Sequence, residues 1–557
     1  MKKSFIVSIC VFLCIGTGFS QKEDKLFEIS KNLNIYNSLY KELEMFYVDT
    51  IDTQKTIRTG IDAMLGSLDP YTSYISEEET NDFKFQTTGE YAGIGSMIMF
   101  GKDQRVVISE PYEGMPAHKN GLKAGDIILE INGEDVTKKT ISEVSSRLKG
   151  TPNTIVKIKI ERPGEKKPLV VEVKRENIQV NSVTYYGVIE DHIGYIYLSG
   201  FTEKTNSELK QAIHELTTQH KVEKLILDLR NNPGGIIEAA VQTVNFFVPK
   251  GKEVVSTKGK VRHWNRSYNT TLEPIAEKIP LAVLVNNGSA SASEIVAGAL
   301  QDLDRAVIIG SRTFGKGLVQ TTREIGYNGL LKVTISKYHI PSGRCIQAID
   351  YAHKNENGQA NYVPDSLTNE FFTANGRVVR DGRGISPDFI VEDEKLGNIT
   401  LYLASENIIF DYATDYAIKH KSIPPITDFA LTDEDYANFT DFVKSKDFTY
   451  NRQTEKILKS LKDVAEFEGY LDTASSEFAA LKSKLNPDLD RDLDKFKSQI
   501  KQMLSTEIVK RYYYQKGEIM ESLKDDTDLK KAIEVLNSPE LYAKTLMPNA
   551  EIALQKD

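Results

Sequence analysis

NNGSASASEI, residues 286–295, is the stretch on which the interpretation of this chain depends. It follows the β-branched run PLAVLV, which predicts a buried strand, and it precedes EIVAGALQDL, whose apolar spacing predicts a helix. Ser289, Ser291 and Ser293 therefore lie at a strand-to-helix turn. The unpaired amides at a helix N-terminus would stabilise an oxyanion formed there. Serines are also common helix caps, so the turn alone leaves both interpretations open.

A lysine in a glycine turn, Lys316 of TFGKGLVQ, supplies a candidate base. A serine hydroxyl needs a base to become a nucleophile, and a lysine held neutral can replace the usual histidine. The pKa of a lysine is ordinarily about 10.4 and would have to fall by about 3 for this role. Burial of the amine would have to supply the corresponding free energy, about 4 kcal/mol. A solvated lysine is the alternative. A Ser/His/Asp site is the rival, because His339 in YHIPSG lies beside a conspicuous turn.

Short strands and glycine turns characterise residues 85–175, where YAGIGSMIMF and GLKAGDIILEINGEDV resemble a PDZ domain. The resemblance implies that Gly93, Ile94 and Gly95 form a loop whose amides bind the terminal carboxylate of a peptide. It also implies that Met97 faces the pocket for the last side chain. The partners would then be protein substrates with accessible C-terminal tails. A β-domain whose GIG is only a bulge is the alternative.

Three segments in a fixed order, DLRNNPGG, NNGSASASEI and RTFGKGLVQ, resemble the carboxyl-terminal processing proteases, which are tail-specific Ser/Lys peptidases with a PDZ domain. The resemblance extends from near Tyr36 to near Glu392. It implies that Ser291 is the nucleophile, that Lys316 is the general base and that Gln320 orients the lysine amine.

The same resemblance implies an oxyanion hole and a second orienting residue. The amide of Ala292 and a glycine of NPGG would bind the oxyanion, with Gly235 favoured over Gly234. Glu294 matches a position that orients the lysine in some members. It is the weaker candidate, because a carboxylate beside Lys316 would favour the charged ammonium.

The predicted fold class is α/β, with a crotonase/ClpP-like ββα core, an inserted all-β PDZ domain, N-terminal helices and a helical C-terminal region. The predicted segments are a signal peptide over 1–20, an N-terminal helical region over 21–84, the PDZ domain over 85–175, the Ser/Lys protease core over 176–393 and a helical C-terminal domain over 394–557. The last segment could be a cap, a tether for an adaptor or a surface for self-association.

Composition and the N-terminus indicate the compartment. Lys2 and Lys3, an apolar run and the small residues Gly18 and Ser20 predict a signal peptide and export, to a periplasm in a bacterium with two membranes. An uncleaved membrane anchor is the alternative, although the run is short for a span. The net charge of −9 argues against nucleic acid as a partner. With no HExxH or CxxC motif, we expect no metal and no cofactor.

These features together predict an exported serine endopeptidase that binds C-terminal tails and cleaves through an acyl-enzyme. A non-catalytic exported PDZ scaffold protein is one alternative. A crotonase-like acyl-transfer enzyme is another, because glycine turns that bind oxyanions recur on unrelated folds.

Overall fold

The computed structural model describes residues 25–547 except 191, 357, 393–394, 447, 449, 451–452 and 486–487. The predicted signal peptide, residues 1–20, lies outside the described residues. The described residues divide into two units, one formed by residues up to 74 with 331–333 and the other by the rest. The first unit contains a helix over 25–46 and the helix Thr53–Gly66, which Asp52 caps by accepting a hydrogen bond from the amide of Lys55.

The second unit starts with the helix Thr80–Thr88 and a β-domain. Six strands form its main sheet: Ser96–Phe100, Val106–Pro111, Ile127–Ile131, Ile155–Glu161, Leu169–Lys174 and the short Glu134–Asp135. The strand Glu90–Gly93 pairs separately with Glu176–Gln179. The helices Pro116–Lys119 and Ile141–Leu148 belong to the same domain, and Thr140 and Glu143 form a capping box at the start of the second helix.

A six-stranded sheet forms the centre of the following α/β domain. Its order is Val183–Glu190, Ile193–Leu198, Lys224–Asp228, Leu281–Val285, Val307–Gly310 and Phe389–Ile390. The first pair is antiparallel and the other neighbours run parallel. The carboxyl ends of Lys224–Asp228 and Leu281–Val285 therefore lie side by side, and the turns that leave them meet.

Helices cover both faces of this sheet, as a largely parallel sheet requires. On one face, the main core includes buried residues of the helices Thr205–Thr218, Ile237–Asn245 and Ala292–Asp302. On the other face, Leu529, Ala532, Val535 and Leu536 of the helix Thr527–Asn537 pack in one buried cluster with strand residues. A helix of the predicted C-terminal region therefore completes the core of the α/β domain.

Additional strands and helices surround this core. The strand Glu253–Gly259 pairs with Arg266–Asn269 and with Gly329–His339, which also pairs with Leu318–Gly326. Two hairpins follow, Ile349–Lys354 with Ala360–Tyr362 and Glu370–Phe372 with Val378–Arg380. Short 3₁₀ helices lie at Arg262–Trp264 and Asp365–Leu367.

The C-terminal region is helical. Its other helices are Asn398–Ser405, Ile408–Lys419, Asp433–Ser445, Gln453–Phe467, Leu471–Leu485, Leu489–Lys495, Lys497–Ser522 and Pro539–Thr545. The backbone of Lys497–Ser522 is non-helical at Tyr514, where the helix kinks. None of the described helices combines the length and the apolar character needed to cross a membrane. The predicted domain boundaries stay predictions.

Candidate active site

Ser291 lies between the strand Leu281–Val285 and the helix Ala292–Asp302. Its φ is 56°, in the left-handed region that residues other than glycine seldom adopt. Ser289 and Ser293 are fully buried, and their hydroxyls donate to the carbonyl oxygens of Leu229 and Asn232 at 2.8 and 2.9 Å. Ser291 is half-buried. Of the three serines, Ser291 is therefore the one whose position suits reaction with a substrate.

Glu294 connects the serine turn to the lysine turn. Its Oε2 accepts from the amides of Ser291 and Lys316, each at 2.9 Å. The two amide nitrogens therefore lie within twice that distance of each other. Its Oε1 accepts from the Thr313 hydroxyl at 2.6 Å and the Gly315 amide at 2.7 Å. The carboxylate therefore binds the backbone amides of both residues of the predicted dyad.

Burial raises the pKa of Glu294 to about 7, against the opposing effect of four hydrogen bonds to its carboxylate, of which that from Thr313 is the largest. Glu294 is fully buried. Its four donors match the four acceptor sites of an ionised carboxylate, whereas a protonated carboxyl would turn one acceptor into a donor. The contact set therefore accommodates the charged form, although burial still opposes it.

Tyr338, on the strand Gly329–His339, binds the same two residues through their carbonyl groups. Its hydroxyl lies 3.2 Å from the Ser291 carbonyl oxygen and also hydrogen-bonds the Lys316 carbonyl oxygen. The tyrosine is buried, with 1% of its surface exposed. Glu294 at the amides and the single Tyr338 hydroxyl, shared between the carbonyls, thus hold the backbones of Ser291 and Lys316 next to each other.

The glycines beside Lys316 allow close packing. A Cβ on Gly315 would lie 2.2 Å from the Cβ of Ala348, and one on Gly317 would lie 2.8 Å from the Gln347 amide nitrogen. Gly315 also has a φ of 88°. Side chains at these positions would therefore displace the lysine turn.

Two polar residues near this turn were predicted as an orienting residue and as a rival base. The Gln320 amide donates to the Thr334 hydroxyl at 3.2 Å. His339 pairs with Ser256 across the strands, and its Nδ1 has no hydrogen-bond partner among the described residues. Burial, Lys258 and Lys337 lower the pKa of His339. The role of Gln320 in orienting the lysine amine stays a prediction.

The turn DLRNNPGG lies against the serine turn. The Asn231 amide donates to the Asn286 side chain at 2.9 Å, and the Asn232 carbonyl accepts from the Ala290 amide at 3.0 Å. The Asn232 side chain donates to the Leu198 carbonyl and accepts from the Gly234 amide. Both asparagines therefore shape the contact between the turns.

The two candidate oxyanion glycines differ in their amides and their surroundings. The Gly234 amide already donates a hydrogen bond to the Asn232 side-chain oxygen at 2.9 Å. Among the hydrogen bonds of the described residues, none is donated by the amides of Gly235 or Ala292. A Cβ on Gly234 would lie 2.8 Å from the Ser291 Cβ, and one on Gly235 would lie 2.0 Å from the Phe201 carbonyl oxygen. This geometry favours Gly235 as the donor and Gly234 as the residue that permits close approach.

The β-domain contains a cavity of about 160 Å³ beside the predicted carboxylate loop. Ile94, Ser96 and Ile98 line one side, and Ser145 and Leu148 of the helix Ile141–Leu148 line another. The lining also includes Phe85, Tyr91, Tyr112 and Lys149. The cavity therefore follows the edge where an added peptide strand would lie.

Met97 was predicted to face this cavity, and the structure corrects that prediction. Ser96 and Ile98 line the cavity, whereas Met97 is 44% exposed and is not among its lining residues. Met97 therefore takes no part in the lining of this cavity. Gly93 is buried, and Gly95 has a φ of 73° with Met115 packed against it.

Sequence reasoning missed Tyr338 and Ile98. Ile98 could have been found by considering both alternations of the strand after GIG. Nothing in SKYHI indicates that the Tyr338 hydroxyl binds the backbone of the serine and lysine turns, because this contact depends on how the strand Gly329–His339 packs against the two turns.

Comparisons with known proteins define the class of this site. Residues 192–353 match the family model described as "Peptidase family S41", residues 107–162 match "PDZ domain", and residues 399–536 match "Probable PDZ-protease, C-terminal helical domain". The fold and these matches define a serine-type peptidase that carries a PDZ domain.

Relatives identify the family. The chain is 40% identical over 322 residues to a carboxy-terminal-processing protease of Bartonella bacilliformis, which covers 57% of this chain and 73% of that protein. It is 39% identical over 319 residues to a probable CtpA-like serine protease of Staphylococcus aureus, which covers 57% of this chain and 62% of that protein. The chain belongs to the carboxy-terminal-processing protease family. The predicted family, fold class and enzyme class are thereby confirmed.

Two solved structures are also similar. The photosystem II D1 C-terminal processing protease is 28% identical, with a TM-score of 0.36, over 64% of this chain and 87% of that one. The PDZ domain of a carboxy-terminal protease from Vibrio cholerae, solved in complex with a peptide, is 28% identical, with a TM-score of 0.16, over 16% of this chain and 99% of that one.

Proposed function

We propose that the chain is an exported endopeptidase that binds the C-terminal tail of protein substrates in the PDZ groove and cleaves them with a Ser291–Lys316 dyad. The observation that carries the dyad is the shared contact of the Ser291 and Lys316 amides with one oxygen of Glu294. It holds the backbone of the two residues together, as a serine and its base require.

The mechanism follows from this assignment. The Lys316 amine takes the Ser291 proton as Oγ attacks the scissile carbonyl, and the amides of Ala292 and Gly235 stabilise the tetrahedral oxyanion. As the intermediate collapses, Lys316 returns the proton to the leaving amine and an acyl-enzyme on Ser291 remains. Water then attacks the ester in a second cycle of the same steps.

The dyad is tested with Ser291→Ala and Lys316→Ala in the full chain. We expect both to lose at least about 1,000-fold in kcat on an unfolded, tail-bearing protein. Lys337→Ala, a lysine on the strand Gly329–His339, is the matched control and should retain activity. Cleavage by either dyad variant at the wild-type rate would contradict the assignment.

Tail binding rests on the cavity between the strand Ser96–Phe100 and the helix Ile141–Leu148. Ile98→Trp should fill it and raise KM for a tail-bearing substrate, whereas Met97→Trp, at an exposed position outside the cavity lining, should leave KM unchanged. Gly95 is unsuitable for this test, because a Cβ there would lie 2.6 Å from the Met115 Cβ.

Amidating the substrate's terminal carboxylate tests the same proposal from the ligand side. We expect amidation to raise KM for the wild type but not for Ile98→Trp, since the variant has already lost the groove. Equal turnover of free-acid and amidated tails by the wild type would contradict tail recognition.

Export rests on the N-terminal Lys2, Lys3 and the apolar run that follows them. The full chain carrying a C-terminal tag should appear in the periplasmic fraction of a double-membraned host, with its N-terminus at Gln21. A chain lacking residues 2–20 should stay in the cytoplasm. Recovery of the full chain in the membrane fraction with its N-terminus intact would instead support an anchor.

A further inference from the structure

Arg230 links the turn DLRNNPGG to the C-terminal region. It comes two residues after the end of the strand Lys224–Asp228 and directly precedes Asn231. Its guanidinium contacts three carboxylates: Asp228 at 2.6 Å, Asp526 at 2.5 Å and Asp528 at 3.0 Å. Asp526 and Asp528 are almost three hundred residues away in the sequence, at the start of the helix Thr527–Asn537.

The cluster is largely removed from water. The side chains of Arg230, Asp228, Asp526 and Asp528 are 16%, 1%, 9% and 12% exposed. Burial disfavours the charged guanidinium, but Asp228 and Asp526 outweigh this effect and raise the pKa of Arg230. A planar guanidinium that contacts several carboxylates has little freedom to move.

The acidic residues of the helix are fixed in turn. Asp526 is the N-cap residue, and its side chain accepts from the Leu529 amide at 2.9 Å. Leu529 belongs to the buried cluster on the second face of the sheet. The carboxylates that bind Arg230 are therefore anchored to the core through their helix.

The two residues that follow Arg230 in the chain connect it to the serine turn by hydrogen bonds. Asn231 binds the Asn286 side chain, and Asn232 binds Ala290, the residue before Ser291. Gly235, the proposed oxyanion donor, lies three residues after Asn232. Arg230 therefore fixes the beginning of the turn whose later residues carry the Gly235 amide.

We propose that Asp526 and Asp528 act through Arg230 as positioning residues. Through them, the C-terminal helix Thr527–Asn537 would hold the turn that carries the Gly235 amide in its position beside Ser291. This inference rests on the proposed function, since it assigns the oxyanion amide to Gly235. It gives the C-terminal region a part in the reaction itself.

The effect should fall on the transition state. The oxyanion exists only after attack, so misplacing one donor lowers kcat and leaves substrate binding intact. A purely structural role would lower thermal stability and leave the kinetics of the folded enzyme unchanged.

The test uses the full chain with Asp526→Asn combined with Asp528→Asn. Asparagine is a good N-cap residue, so the helix start should survive while the charges opposite Arg230 are removed. Asp525→Asn is the matched control, because Asp525 is exposed and pairs with Lys530 instead. Arg230→Lys and the single Asp526→Asn are further variants, should the double variant not fold.

Three quantities are measured well below the melting temperature of every variant: kcat and KM on a tail-bearing substrate, and the inhibition constant of a peptide boronate. The boronate adduct on Ser291 mimics the oxyanion. We expect kcat to fall at least tenfold in the double variant, with KM within twofold. Boronate affinity should fall by the same factor as kcat/KM, and Asp525→Asn should match the wild type.

Unchanged kcat and boronate affinity, with or without a lower melting temperature, would overturn the inference. A rise in KM without a fall in kcat would also overturn it. Failure of the proposed function is a separate outcome, since the wild type would then cleave no better than Ser291→Ala.

Discussion

At the scale of single residues, the predicted dyad depends on the Glu294 carboxylate, which accepts a hydrogen bond from each of four donors around it. The Glu294 carboxylate receives three amides and one hydroxyl, and it has no donor of its own when ionised. The sequence suggested that a carboxylate here would act on the lysine amine. In the structure it binds the Lys316 backbone, so it fixes the position of the base through the main chain.

Glu294→Gln should therefore disable the site while preserving its shape. One oxygen becomes an NH₂ group, which would face either the amides of Ser291 and Lys316 or the donors from Thr313 and Gly315. We expect kcat to fall about 10–100-fold with little change in KM, since two donors lose their acceptor. Steady-state kinetics on a tail-bearing substrate measures this.

Glu238→Gln is the control for this substitution. Glu238 lies in the first turn of the helix Ile237–Asn245, as Glu294 does in its own helix, but it is far less buried. Its activity should equal that of the wild type. Wild-type kcat in Glu294→Gln would show that the carboxylate does not position the dyad.

The raised pKa of Glu294 predicts a pH dependence of stability. The ordinary pKa of a glutamate is 4.5 and that of Glu294 in the folded chain is about 7, so the native state binds more protons than the unfolded chain between these values. Stability contributed by this group is then complete below pH 4.5 and is lost as pH rises through about 7, by about 3 kcal/mol in total. Urea unfolding of wild type and Glu294→Gln at several pH values isolates this contribution.

The direction in which the stability difference between wild type and Glu294→Gln changes with pH identifies the dominant effect on the pKa of Glu294. A wild-type stability that falls relative to Glu294→Gln with rising pH shows that burial dominates. The opposite slope would mean that the four hydrogen bonds outweigh burial and that the pKa lies below 4.5.

At the scale of elements, the turn of Gly234 and Gly235 shows why glycine is required beside the serine. Gly234 has a φ of 100°, and a Cβ there would lie 2.7 Å from the Ala290 carbonyl oxygen and 2.8 Å from the Ser291 Cβ. Gly234→Ala should therefore push the two turns apart. We expect kcat to fall at least about 100-fold, since a displacement near 1 Å has that effect on a positioned group.

Gly251→Ala separates backbone strain from this contact. Gly251 has a φ of 88°, but its Cβ would meet no atom of the described residues within 4 Å. It should cost about 1–2 kcal/mol of stability and leave kcat unchanged. Comparable activity of the two variants would show that the contact with Ser291 is unimportant.

The sequence could predict these elements but not all of their orientations. Strand, turn and helix around Ser291 follow from apolar spacing, because each element is bounded by glycine or polar residues. The side of the strand after GIG does not follow, because alternation has two phases. The ladder also has a register shift between Met97 and Ile98, so no regular pairing pattern could have chosen the phase.

At the scale of the whole chain, the C-terminal helices could be predicted from the sequence. The surface on which they pack could not. The spacing of Leu529, Ala532, Val535 and Leu536 indicates an apolar face and is silent about its partner. The partner is the second face of the parallel sheet, whose strands read as continuous apolar runs because both faces are buried. The apolar face of the helix and the second face of the sheet, which are distant in the sequence, thus bury each other.

This packing predicts that the α/β core and the helix Thr527–Asn537 unfold together. Leu536 is 2% exposed and belongs to a cluster with sheet residues such as Ile226 and Leu284. Leu536→Ala should lower the free energy of unfolding by about 2–5 kcal/mol, because it leaves a cavity at that contact. Leu481→Ala, at a position 43% exposed, should change it by less than about 0.5 kcal/mol.

Two probes of urea unfolding can test whether the transition is shared. The single tryptophan, Trp264, lies in the short helix Arg262–Trp264 that follows the strand Glu253–Gly259, so its fluorescence reports on the α/β domain. Far-ultraviolet circular dichroism reports mainly on helices. If the sheet needs its second cover, Leu536→Ala shifts both midpoints to lower urea by the same amount. A shift in circular dichroism alone would mean that the core is stable without the C-terminal helix, and the helix could then not hold the turn that carries Gly235.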